Sequence, residues 1–428
     1  MSEESKNQSA WLELFVKHDI LNKINKHDFF CITSKQINLY RESRLMTKFD
    51  NSSQLPKLLS DEKIAILPTS RGSYMLGRFK IFHNFEQPPN QVFHYPFHNS
   101  FESLDFNNIK SESVAISCAY VSKILEHFIG EELTPTASGR MSSNVFDFVV
   151  NSHNSKTHTI EVNKAQIEID AGFEGETSFV LIEAKNYISD DFIIRQLYYP
   201  FRRWNDVISK KTRNVYLTYS NGIFELREYQ FTNIKDYNSI HLIKCERYSI
   251  YHVQINIQTI LNLIKTTQLD LEPNDAPFPQ ADSFERVVNL CELLNSNEIL
   301  SKIEITENFG LTSRQTDYYL NACKYLGLAE LSNIDGQACG YLTEKGKKIF
   351  NNDINARRLD LIQIILAKRV FNQSLELYIN NAELPTKNII VEIMHKSNLN
   401  NVKTDSMFER RSSTVLGWIN WIVSQIEE

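Results

Sequence analysis

The sequence lacks the parts that several large functional classes require. It has no apolar run near the ~20 residues of a membrane-crossing helix, so no membrane role is expected. No G-x-x-x-x-G-K-[S/T] phosphate loop is present, which removes ATP-driven helicases and motors from consideration. Cysteine is sparse. Cys31, Cys118, Cys245, Cys291, Cys323 and Cys339 form no C-x-x-C pair or other regular metal spacing, which argues against structural zinc. His94 and His98 in HYPFH are separated by a proline, which prevents the helical i,i+4 geometry of paired zinc ligands. The start, MSEESKNQSAWLELF, has no signal-peptide pattern, and with the unpatterned cysteines it points to a reducing, cytoplasmic setting. Internal repeats and low-complexity tracts are also missing.

What remains is an ordinary globular composition, 42% hydrophobic and 23% charged over 428 residues, enough for two to four domains. The net charge is −6 and the pI about 6.0. In such a chain any nucleic-acid contact must be focused in a local positive cleft and fall steeply with salt.

The stretch Gln166 to Asn186, QIEIDAGFEGETSFVLIEAKN, carries most of the chemistry. Its first strand alternates, with Ile167 and Ile169 on one face and Glu168 and Asp170 on the other. Gly172 and Gly175 suit a turn, and Phe179 to Lys185 is a β-rich run in which Glu183 and Lys185 share a face. The preceding FVLI is apolar on both faces, as in a covered central strand, so charges at its end need a partner or a role. Antiparallel pairing would set Asp170 opposite Glu183 with Lys185 beside them. Two close carboxylates repel unless a cation joins them, and hard oxygen donors with open positions suit Mg²⁺.

Asp170 followed by Glu183-Ala184-Lys185 resembles the D…(D/E)xK core of the PD-(D/E)XK nuclease superfamily, although Ile169 replaces the usual proline. The order of elements is similar too. Ser111 to Ile129 reads as a leading helix. Asp190 and Asp191 are placed to cap a helix through about Ile208, divided or kinked by Pro200, and Asn214–Ser220, Asn221-Gly222 and Ile223–Phe231 read as a hairpin. The resemblance implies a restriction-endonuclease-like α/β fold with a mixed central sheet flanked by helices. It also implies catalytic Asp170, Glu183 and Lys185, a Mg²⁺ cofactor, and a glutamine from the following helix. Gln196 matches that place, or is an ordinary helix residue. A glutamate of the leading helix can add a metal ligand, Glu112 ahead of Glu126, and Glu168 is a further outer candidate.

Arg195, Arg202, Arg203, Lys210, Lys211 and Arg213, interleaved with Tyr198, Tyr199 and Trp204, form either a phosphate-binding stripe or a solvated helix face. Thr134 to Asn144 reads as a loop whose Arg140 suits a phosphate contact or simple mobility.

LEPNDAPFPQAD, Leu271 to Asp282, reads as a proline-rich linker. Beyond it, helices at about Ser283–Asn295, Ser301–Phe309 and Ser313–Leu326, then two strands about Asp335-Gly336 and a helix, resemble a winged helix, mainly α, that binds DNA or mediates protein contacts. In such a module Ser313, Arg314, Gln315, Asp317 and Tyr318 face the major groove. Helices follow at Asn355–Ile379, Thr386–Lys396 and Ser406–Ile426, with Arg410 and Arg411 early in the last and a core stripe of Val415, Leu416, Trp418, Ile419 and Ile422.

Four segments are therefore expected: 1–110, for DNA recognition or dimerisation, with Arg71, Tyr74 and Arg78 near a turn at Gly72; 111–270, the nuclease; 283–352, the winged helix; and 353–428, either plain helical or a second such unit. The combined resemblance is to a type II restriction endonuclease. It implies double-stranded DNA as substrate, a homodimer, and a companion DNA methyltransferase at the same site. The rival expectations are a methylated-DNA endonuclease and a non-catalytic DNA-binding regulator.

Overall fold

A computed structural model describes residues 6–95, 101–251, 255–334 and 336–426, with the side chains of 307 and 308 left aside. His98 and Asp335 therefore lie outside the described residues. The architecture is mixed α/β, with 17 helices and four sheets among the described residues. The chain divides into two compact units, one of 1–93, 112–219 and 224–248, the other of 94–111, 220–223 and 249–428. Residues 6–93 thus pack with the hairpin-bearing region, and the last passage between units falls near 248, well before the prolines.

In the first unit, α1 (Lys6–His18), α2 (Ile20–His27), β1 (Phe29–Thr33), α3 (Ser34–Ile37), α4 (Ser43–Thr47) and α5 (Lys57–Asp61) precede the hairpin of β2 (Ala65–Ser70) and β3 (Ser73–Gly77). Trp11, Leu14, Ile20, Ile37, Met46, Leu59 and Leu76 make their shared core. β4 (Phe82–Asn84) and β5 (Val92–His94) lead to α6 (Glu112–Val121) and α7 (Ile124–Ile129). The single leading helix expected over Ser111–Ile129 is broken, because Lys123 takes a left-handed φ of 65°.

β6 (Thr134–Ser142), β7 (Val145–Asn151), β8 (Thr157–Asn163), β9 (Gln166–Glu174) and β10 (Ser178–Lys185) follow. Next come β11 (Asp191–Ile193), α8 (Arg195–Asn205), β12 (Lys211–Ser220), β13 (Ile223–Phe231) and β14 (Ile240–Ser249). Two mixed sheets result, ordered β1-β3-β2-β8-β7 and β5-β14-β13-β12-β10-β9-β6. β10 is central in the larger one and pairs parallel with β12. Every residue of β10 is buried, which explains its apolar run on both faces.

Three expectations change here. Thr134–Ser142 is an edge strand; its small, exposed residues gave no alternation, and pairing with β9 fixes it. Asp190 and Asp191 do not cap a helix: β11 pairs with β4, buried Asp191 accepts from the Ser52 amide at 2.8 Å, and α8 starts later. Pro200 lies inside α8 without ending it, since Tyr198, Tyr199 and Phe201 anchor that turn in the core. The Asn221-Gly222 turn is as expected, both residues at positive φ (57° and 74°).

The second unit contains α9 (Ile257–Thr266), α10 (Phe284–Asn297), β15 (Ile299–Ser301), α11 (Lys302–Asn308), α12 (Ser313–Tyr325), β16 (Ala329–Ile334), β17 (Gln337–Leu342) and α13 (Glu344–Phe350). β15 pairs with β17 to complete a three-stranded sheet, β15-β17-β16. α14 (Ile354–Leu366), α15 (Arg369–Asn381), α16 (Lys387–His395) and α17 (Asp405–Val423) complete it. The helix expected over Asn355–Ile379 is split at Ala367–Lys368.

Leu271–Asp282 is no free linker but packed structure. Phe278 is fully buried, stacking on Phe371 at 5.8 Å, and Asn400 Nδ2 donates to the carbonyls of Asn274 (2.9 Å) and Ala276 (3.0 Å). Each of its three prolines lacks an N–H to satisfy, and the Phe278 amide donates to the Asn400 carbonyl at 3.2 Å.

Candidate active site

β9 and β10 run antiparallel in register from Phe179↔Glu174 to Ile182↔Ala171, and the next step of that register sets Glu183 against Asp170. At this point β9 is irregular. Between Gly139↔Ile169 and Ala137↔Gly172, the two residues Asp170 and Ala171 face one residue of β6, a bulge that re-aims Asp170. The aspartate does not continue the ladder through its backbone; its Oδ2 accepts from the Ala184 amide at 2.8 Å. Gly172, expected in a turn, lies within the strand, where a Cβ would stand 3.0 Å from Ala137 Cβ and from the Phe179 ring.

Glu183 and Lys185 project from the end of β10 and are only 8% and 6% exposed. Lys185 Nζ lies 2.5 Å from Glu183 Oε1, donates to the Ala184 carbonyl at 3.0 Å, and stands 3.8 Å from Glu112 Oε1 at the start of α6. From α8, Gln196 Nε2 donates to Glu183 Oε1 at 2.7 Å and to Asp50 Oδ1 at 3.1 Å. The structure thus gathers Asp170, Glu183, Lys185, Gln196 and Glu112. It adds Asp50, which sequence reasoning missed. Glu126 is elsewhere, paired with Lys123 at 2.9 Å, because the helix break ends the shared face with Glu112. Glu168 is exposed and paired with Arg140 at 3.2 Å.

Three carboxylates, Glu183, Asp50 and Glu112, act on one ammonium, and Asp170 acts on Glu183 and Glu112. Burial, with the negative charges of Asp170 and Asp50, pushes the Glu183 carboxyl up to about 8 against the pull of Lys185. Burial, with Asp170 and Asp50, likewise raises Glu112. For Lys185 burial works against charge, but Glu183, Asp50, Tyr216 and Glu112 outweigh it and hold the ammonium well above its ordinary value. A single lysine leaves this site short of positive charge, and that deficit fits an added cation. Among the described residues no group of three or more His, Cys, Asp or Glu side chains is arranged to enclose a metal. Asp170 and Glu183 are hard oxygen donors of the type that would suit an ion keeping several of its waters, as Mg²⁺ does.

The Glu183 shift has a testable sign. Its pKa is raised in the folded chain, so its contribution to stability is complete below about 4.5 and lost as pH rises toward about 8. In EDTA, the Tm of the native chain is expected to fall more between pH 5 and 8 than that of Glu183→Gln, measured by scanning fluorimetry. Parallel curves would show that Glu183 does not titrate there.

The basic stretch is largely consumed within the fold. Arg202 is buried, its guanidinium donating to the Asp147 and Ile234 carbonyls at 2.8 and 3.1 Å and lying 4.7 Å over the Phe146 ring. It is therefore a core residue and not a phosphate contact. Arg203 bonds Asn144, Lys210 pairs with Glu174, and Arg213 with Glu228. Arg195, half-buried, opens α8. Tyr198 and Tyr199 are buried and Trp204 packs on Phe179.

In the second unit, Ser313 and Arg314 are exposed at the start of α12, with Arg314 Nε 2.5 Å from the Tyr318 hydroxyl. Gln315 is engaged in the capping box with Thr312, and Asp317 pairs with Lys302. Arg411 is buried while Arg410 is exposed, and Val415, Trp418, Ile419 and Ile422 are core.

Three family models match the chain. Each is described as a domain of unknown function: DUF6996 over residues 8–76, DUF6997 over 77–249 and DUF7226 over 286–427. No curated protein and no solved structure matches. Asp50 falls in the first matched segment and the other gathered residues in the second, so the cluster is assembled from both. No helix among the described residues is long and apolar enough to cross a membrane.

Proposed function

We propose that this chain is a Mg²⁺-dependent nuclease of the PD-(D/E)XK kind that hydrolyses phosphodiester bonds in double-stranded DNA, acting as a type II restriction endonuclease. The observation that carries the reading is the meeting of Asp170, at the bulge of β9, with Glu183 and Lys185, at the end of the neighbouring β10. Bound there, Mg²⁺ would supply Lewis-acid polarisation of a phosphoryl oxygen and a more acidic water.

The protein's own groups divide the remaining work. Asp170 and Glu183 are the residues to hold the ion, with Glu112 at its margin. Gln196 fixes the Glu183 carboxylate by donating to it. Lys185, kept as an ammonium by its anionic neighbours, acts as a positive charge near the scissile phosphate and not as a proton acceptor.

Two helices, a short strand between them, a third helix placed by a turn and a terminal hairpin support a winged-helix reader in the second unit. Its exposed Ser313 and Arg314 and its half-buried Tyr318 suit base or phosphate contact, with Arg140 and Arg195 as contacts nearer the cut. Double-strand cleavage would call for a homodimer, and host protection for a companion methyltransferase. Sequencing the ends left on a defined DNA library after incubation with Mg²⁺, against an EDTA control, tests the reading. Recurrent cuts at one sequence with 5′-phosphate ends are expected; an untouched library would reject it.

A further inference from the structure

Asp50 belongs to the N-terminal segment, 146 positions from Gln196 in sequence, yet the two side chains are hydrogen-bonded. The segment around it is pinned to β11 by two bonds: the Ile193 amide donates to the Asp50 carbonyl at 2.8 Å, and the Ser52 amide to Asp191 Oδ1 at 2.8 Å. A third, from the Asp50 amide to Gln54 Oε1 at 2.6 Å, closes the turn itself. β11 leads directly into α8, which carries Gln196, so both partners are anchored to one short piece of chain.

The Gln196 amide is the hinge of the arrangement. Its Nε2 has two hydrogens and meets two carboxyl groups, Glu183 and Asp50; an amide oxygen turned the same way would face the Asp50 acceptor. With both carboxylates present, one orientation is allowed. Its Oε1 is then directed elsewhere and is buried without a hydrogen-bond partner.

We propose that Asp50 is a positioning residue of the site: it fixes the side-chain amide of Gln196, and through it the carboxylate of Glu183, for cation binding. The N-terminal segment is then part of the reaction centre and not only a reader or a dimer interface. The proposal rests on the nuclease reading for its purpose but not for its geometry.

Two readouts on the full-length chain separate these. In the first, the side-chain amide resonances of Gln196 are followed by NMR after selective ¹⁵N-glutamine labelling, assigned by their loss in Gln196→Leu. Asp50→Ala is expected to shift them, and Asp50→Asn, which keeps an oxygen acceptor, to shift them less. In the second, Mn²⁺ affinity is measured by calorimetry without DNA. Asp50→Ala is expected to weaken it by about tenfold or more, as loss of a partner behind a metal ligand does, with an unchanged melting temperature. Unmoved Gln196 resonances in Asp50→Ala overturn the positioning role. Moved resonances with Mn²⁺ affinity within about twofold of the native chain, too little for such a partner, overturn its link to cation binding. If the native chain binds no Mn²⁺, the nuclease reading fails instead, and the resonances alone decide whether Asp50 positions Gln196.

Discussion

Asp170→Asn and Lys185→Ala should each leave a folded chain whose Mg²⁺-dependent cleavage of supercoiled plasmid is slower by about a hundred- to a thousandfold, the loss typical of removing one transition-state stabilising group. The two changes act differently. Asparagine keeps an oxygen to accept from the Ala184 amide, so the bulge in β9 retains its bond while the negative charge for the cation disappears. Alanine at 185 removes the one ammonium set among Glu183, Asp50 and Glu112. Breaking a buried pair usually leaves a costly unpaired charge. Here the remaining partner can discharge itself, because burial already pushes the Glu183 carboxyl up to about 8. The lysine variant should therefore keep its fold at pH 7 and lose chemistry. Plasmid nicking assayed alongside far-UV circular dichroism checks both. Cleavage at the native rate in either variant would place the chemistry elsewhere.

The hairpin was legible in the sequence because local rules govern it. Ile167 and Ile169 are buried and Glu168 exposed, as strict alternation requires, and Phe179–Lys185 lies in a strand buried along its whole length. The turn at Asn221-Gly222 was legible for the same reason, since asparagine and glycine tolerate positive φ. Long-range pairing decided the rest. Asp50 ends a run, SRLMTKFD, whose pattern names only local helix; nothing in its spacing points to Gln196. The bulge at Asp170 exists because β9 must match β6 and β10 at once. Arg202 looked like one more cation in a basic stripe, but Tyr198 and Phe146 around it make it a core residue. Composition reports charge; only packing reports which charges are already used. The prolines of Leu271–Asp282 misled in the opposite sense, since the same residues that mark linkers also suit an extended segment whose carbonyls find donors in Asn400 and Trp418.

That segment sets the second large effect, on stability. Trp418 is fully buried in α17, stacked on Phe371 with centroids 4.8 Å apart and edge-on to Phe284 at 4.9 Å, while its Nε1 donates to the Ala281 carbonyl at 2.7 Å. Next to it Gly417 packs against the same stretch so closely that a Cβ would stand 2.0 Å from the Asp282 carbonyl oxygen, so α17 cannot slide to refill a void. Trp418→Ala should then cost about 3–5 kcal/mol, the range for deleting a large aromatic side chain from a core that cannot collapse. Trp418→Phe keeps much of the ring contact but leaves the Ala281 carbonyl without its donor, a loss of about 1–3 kcal/mol. Urea unfolding followed at 222 nm, where the helices of this unit dominate, should rank native above Phe above Ala. A Trp418→Ala midpoint matching the native one would mean that the proline-rich segment is not held to α17 as described.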